Sequence, residues 1–138
     1  MAELQVDVVA VDHKVWSGVA KSVVAKTPEG EIGILPGHEP VLSLLVNSVV
    51  RIETIDGEKI PVAVHGGFFS VDTNNVKVLA ETAELGSEID VPRAEAALER
   101  AKGEDSPEKL AAYHRAEVRL KAAAEVTAAG LHLSLIHI

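Results

Sequence analysis

RIETIDGEKIPVAV, residues 51–64, decides how this chain is read. Two β-branched bursts flank Asp56-Gly57, a pair that supplies the two positive-φ residues of a type I′ turn, so the segment predicts a β-hairpin. Working outward, short bursts of the same texture recur at 19–26, 31–35, 48–55, 59–64, 67–71 and 76–82. The opening burst sets Leu4, Val6, Val8 and Ala10 on one face and Gln5 and Asp7 on the other, the period of a half-buried strand. DTNN at 72–75 reads as a further turn. Many short strands separated by Gly, Asn and Pro, with no helical period between them, predict an antiparallel sandwich or barrel. Pro61 lacks an N–H to give to a ladder and is expected at an edge or a bulge.

At Ser87 the texture changes. SEIDVPRAEAALERAKG offers Asp90 as N-cap, Pro92 in the first turn, and Ala94, Ala97, Leu98 and Ala101 at helical spacing before Gly103. A second helix starts with Ser106 as N-cap and Pro107 at its first position, carries Tyr113, Ala116, Leu120 and Ala123 as its apolar stripe, and is expected to close at Gly130. The short break between them predicts an antiparallel helical hairpin. Alanine dominates the stripe, and each methyl removed from water contributes only about 0.8 kcal/mol, so the hairpin is expected to dock weakly and to be able to detach. The ending LSLIHI is what a common sequencing-library adaptor yields on translation. The expected division is therefore a sandwich at 1–88, a helical hairpin at 89–130, and a foreign or disordered tail at 131–138.

With 138 residues the chain holds one main core and a small appendage. A net charge of −8 argues against a nucleic-acid surface, which needs clustered Lys and Arg to displace counterions. The absence of cysteine excludes disulfides and thiolate metal sites. No apolar run approaches the roughly 20 residues that span a bilayer, so no direct membrane insertion is expected.

GEIGILPGHEP, residues 30–40, gathers three glycines, two prolines, two glutamates and a histidine. It lacks the lysine and following helix of a phosphate-cradling loop. HGGFF at 65–69 resembles the oxyanion-hole loop of esterases, but no G-x-S-x-G elbow accompanies it, and Gly66-Gly67 reads better as a bulge or a close backbone approach. The six histidines form no i, i+4 pair on a helix and no metal set. Trp16 and Phe68-Phe69 are read as core or half-core aromatics. No nucleophile, base and orienting group come together, so no catalytic residue is assigned and no cofactor is required.

Taken together, the pieces resemble the epsilon subunit family of bacterial proton-translocating ATP synthase, called delta in mitochondria. The resemblance runs from Leu4 to about Val126 and rests on the LQVDVVAVD opening, VWSG at 15–18, GEIGILPGHEP at 30–40, AVHGGFFSV at 63–71, VLAETAE at 78–84 and IDVPRA at 89–94. It implies an N-terminal β-sandwich of about ten strands followed by a C-terminal helical hairpin. It also implies a non-catalytic rotor subunit, peripheral to the bacterial membrane on the cytoplasmic side. The sandwich would sit between the gamma subunit and the c-ring, and the arm would extend toward the alpha and beta catalytic subunits and restrain ATP hydrolysis. The 30–40 loop would face the c-ring, with Glu31 and His38 as the contacts; glycines there allow close approach, and prolines stiffen the loop. A turn built for the fold alone is the other reading of that loop. A free-standing sandwich that binds a different partner is the other reading of the chain.

The resemblance further implies a nucleotide site in some members, matched here by Glu84, Ile89, Asp90, Arg93, Ala94 and Arg100. Two arginines expected near the end of the second helix are replaced by Ala122 and Val126, which leaves ATP as at most a weak regulatory ligand. The alternative makes Asp90 an N-cap and leaves Arg93 and Arg100 solvated or paired with glutamates.

Overall fold

In this computed structural model, residues 2–102 and 106–136 are described, with side chains as far as Val126. The strands are β1 (Leu4–Ala10), β2 (Lys14–Thr27), β3 (Gly30–Ile34), β4 (Val41–Leu44), β5 (Ser48–Thr54), β6 (Lys59–His65), β7 (Phe68–Asp72), β8 (Asn75–Ala80) and β9 (Thr82–Leu85). A 3-10 turn at Gly86–Glu88 leads into α1 (Val91–Ala101), and α2 follows (Pro107–Ile136).

β2 organises the sheet. Its first half pairs with β1 and its second half with both β3 and β5, with a register shift between Ala20 and Ser22. A bulge there bends the strand, so one continuous hydrogen-bonded path, β4-β7-β8-β1-β2-β5-β6-β9, is folded into two facing layers. Between them lies the core: Leu4, Val6, Val8 and Ala10 from β1, as their alternation predicts, with Val23, Ile52, Val62, Val64, Phe69, Val76 and Val78.

Several local expectations are corrected. The strands are not all antiparallel, because β1 and β8 run parallel. The β5–β6 connection is not a two-residue type I′ turn. Gly57 N–H donates to Thr54 O (3.0 Å) and Thr54 N–H to Glu58 O (2.8 Å), which leaves a three-residue loop whose last residue, Gly57, takes the left-handed conformation. The pair of positive-φ residues sits instead in DTNN, at Thr73 and Asn74. β4 was not expected at all. Phe69 is core but Phe68 is 41% exposed. GEIGI is an edge strand, as the burst at 31–35 predicts, so only 35–40 of the 30–40 segment is loop, and Glu31 lies on β3. Pro61 sits in β6 just beyond the last pair with β9, Val62 with Leu85, so on that side it meets an open edge.

Gly67 is the close approach that the sequence suggested: a Cβ there would run into the backbone carbonyl of Leu79. Both helix starts are as expected, Asp90 accepting from Arg93 N–H (3.1 Å) and Ser106 from Lys109 N–H (3.2 Å). α1 ends at Ala101, and the expected stop at Gly103 lies outside the described residues. Gly130 does not close α2, whose backbone continues to Ile136.

The main core draws its members from the strands, with Leu45 just after β4, and none from the helices. Residues 1–88 expressed alone are therefore expected to fold, with a β-type circular dichroism spectrum and cooperative melting; an unfolded fragment would show that the sandwich depends on its arm.

Candidate functional site

The helical pair lies on the outer face of the β5-β6-β9 layer. β-Strand alternation turns Val49, Arg51, Ala63, His65 and Glu84 outward on that face, and α2 covers them. A small second core forms there from Val49, Ala63, Ile89, Ala94, Ala122 and Ala123, with Val118 and Leu120 at its margin. Of the seam expected between the helices, Ala94, Ala101, Ala116 and Ala123 are buried, while Ala97, Leu98, Tyr113 and Leu120 are half-buried.

Two ion pairs frame this thin core. Arg119 grips Glu84 with both ends of its guanidinium, Nε to Oε1 at 2.7 Å and Nη2 to Oε2 at 3.2 Å. Such a fork fixes the rotation of α2 as well as attracting it. Arg51 Nε donates to Glu125 Oε1 at 2.6 Å, and its Nη1 lies 3.9 Å from Glu31 on β3. Between the ion pairs, the backbones nearly touch: a Cβ on Gly86 would stand 2.6 Å from Ala122 O and 2.9 Å from Val126 Cγ2. Glycine is required there by contact and not by φ.

The expected nucleotide residues are only partly brought together. Ile89 and Ala94 are buried inside the small core, Asp90 is the N-cap of α1, and Glu84 is held by Arg119. Arg93 and Arg100 are exposed on α1. Ala122 is fully buried against the sheet, so its position is not an opening toward a ligand. Glu31 and His38 are also apart. Glu31 lines a groove of about 360 Å³ beside α2, together with Lys26, Asn47, Arg51, Glu117 and Lys121. His38 belongs to the 35–40 loop, where its Nδ1 lies 2.7 Å from Glu39 O. That loop is moored to the other layer by Gly37 N–H donating to Asn74 Oδ1 at 2.7 Å.

Sequence reasoning missed Arg119 as the partner of Glu84, and Gly86, Arg51 and His65 as parts of the docking face. The one local signal was the glycine at 86, immediately before the change of texture.

The family model for the ATP synthase delta/epsilon chain, beta-sandwich domain, matches residues 3–86. The chain belongs to that family. It is 53% identical over 121 residues to the ATP synthase epsilon chain of Streptomyces avermitilis, covering 88% of this chain and 95% of that one. It is 57% identical over 99 residues to that of Rhodococcus jostii, covering 71% and 81%. Among solved structures it resembles a chain in the Euglena gracilis mitochondrial ATP synthase OSCP/F1/c-ring assembly, with a TM-score of 0.67 and 26% identity over 94% of this chain and 82% of that one. The reading as an epsilon-type central-stalk subunit of ATP synthase stands over that of a free-standing module with another partner. Among the described residues no helix is long and apolar enough to cross a membrane.

Valine at position 86 would drive its side chain into the α2 backbone. Gly86→Val is expected to lift the arm from the sheet while the sandwich stays folded, seen as loss of amide-exchange protection in α2 together with retained protection in β1 and β8. Protection retained in α2 would mean that the close contact is not what holds the arm.

Proposed function

We propose that this chain is a non-catalytic rotor subunit whose sandwich binds gamma through the outer face of the β4-β7-β8 layer. The observation that carries this is an apolar stripe on the layer opposite the arm. Leu44, Phe68 and Leu79 lie side by side in register, and Leu42 is two residues along β4. They are 65%, 41%, 37% and 74% exposed, a contiguous patch of the kind that marks a protein interface. Family membership and the likeness to a chain of an F1/c-ring assembly support gamma and the c-ring as the partners. The 35–40 loop, with His38, meets the c-ring on the cytoplasmic side of the bacterial membrane. Glu31, on the neighbouring edge strand, offers a charge to basic c-ring loops while also being within reach of Arg51. The arm, when it leaves the sheet, extends toward the alpha and beta subunits and restrains ATP hydrolysis.

Leu44→Glu combined with Phe68→Glu places two charges on the stripe without touching the core. The double variant is expected to fold normally and to lose at least tenfold in affinity for gamma on co-purification; unchanged capture would move the gamma site elsewhere.

ATP, in this reading, is a weak ligand. Glu84 is already engaged by Arg119 and Asp90 by its own helix, and no arginine stands at 122 or 126 to meet a phosphate. Calorimetry on the full chain is expected to give millimolar affinity or none, about −4 kcal/mol at most. Micromolar binding that is lost on Arg93→Ala would restore a nucleotide-sensing role.

A further inference from the structure

His65 ends β6 beneath α2, with 7% of its surface exposed, and neither ring nitrogen has a hydrogen-bond partner. An imidazole so placed is carried at a cost that an apolar residue would avoid. Its ladder partner on β9 is Thr82. The charged groups facing it are Glu84 on β9 and Arg115 and Arg119 on α2. Glu84 is already neutralised by the two-pronged grip of Arg119, so the ring meets a net cationic helix face.

We propose that His65 is a proton-operated catch between sandwich and arm: neutral, it lies under α2 and lets the arm dock; protonated, it drives the arm off. Docking buries the ring without giving its proton a new acceptor and brings two guanidiniums toward it, one from Arg115 and one from Arg119. A charge there has no counterion that is not shared. Burial, and after it the two arginines, hold the ring below its ordinary value of 6.5, while Glu84 opposes them in part. The sign follows. The undocked ring takes up a proton first, so the undocked state binds more protons, and docking weakens as pH falls below the ordinary histidine value. Above that value both states are neutral and docking is at full strength. The proposal rests on the arm reading, since it supplies the stimulus for a detachment that the thin alanine contact already makes easy.

Because the chain has no cysteine, the full-length protein can carry one pair of labels, at Asp56→Cys in the β5–β6 loop and Ala124→Cys on the exposed side of α2. The distance between them is measured from pH 7.5 to 5.5. The open-to-docked ratio is expected to rise with falling pH by as much as roughly tenfold per unit, the limit for one proton. In His65→Leu, which keeps the site filled and cannot titrate, the ratio is expected to stay flat. The same rise in His65→Leu would overturn the proposal. Should that variant fail to fold, the ring resonances of His65 in the wild-type chain decide: titration below the ordinary histidine value supports the catch, and titration at or above it defeats it. Gly86→Val with the same labels separates the two levels. An arm that stays on the sheet in Gly86→Val and in the wild type at every pH removes the arm reading and the catch together. An arm that leaves in Gly86→Val but ignores pH in the wild type removes the catch alone.

Discussion

The whole molecule hangs on a strand shared by two layers. β2 is 14 residues long, and its ladder changes partner at the register shift between Ala20 and Ser22. Without that bend the sheet would extend in one plane and expose the faces that now meet as the core. With it, inward and outward positions are set for every other strand, because side chains alternate along each ladder. One layer therefore turns Leu42, Leu44, Phe68 and Leu79 to solvent, while the other turns Val49, Ala63, His65 and Glu84 to the arm. The two outer faces differ, one apolar and open and the other covered by the arm, and a single bent strand holds them back to back.

What could be seen in the sequence was whatever a local pattern encodes. Leu4, Val6, Val8 and Ala10 announced a strand with one buried face, and Asp90 and Ser106 announced two helix starts. β4 was invisible because its leucines point outward and take no part in the core. The connection after β5 was misjudged by one residue, since a glycine in the left-handed region serves both a two-residue and a three-residue loop. In GEIGILPGHEP the burst at 31–35 did announce a strand, and Ile32 and Ile34 pair with Ala25 and Val23 to make half of the segment an edge strand, so only its second half is the loop that glycine and proline suggest. Arg119 with Glu84, and Arg51 with Glu125, are 35 and 74 positions apart, a separation across which no periodicity carries information.

The arm contact is a balance of small terms. Its apolar part is mostly alanine and valine, its ion pairs are partly solvated and so individually modest, and a buried imidazole works against it. Nothing in that set resembles the interlocked core between the layers. A close backbone contact at Gly86 gives the arm one preferred seat without making it a deep one. The sandwich is held by an interlocked core, and the arm by a thin contact.

The parallel ladder between β1 and β8 has a consequence for how the chain comes off the ribosome. Gln5 to Ala10 lie against Asn75 to Ala80, so the first strand made is hemmed on one side by nearly the last. The hairpins from β5 to β8 can form from local contacts, and β1 can pair early with β2. Closing its other edge requires a loop of about 70 residues, whose entropy must be met before any of that ladder forms. Until β8 emerges, the N-terminal strand, with Val6 and Val8 among its buried residues, presents an open edge. The sandwich in this way closes only once it has been synthesised almost to its end.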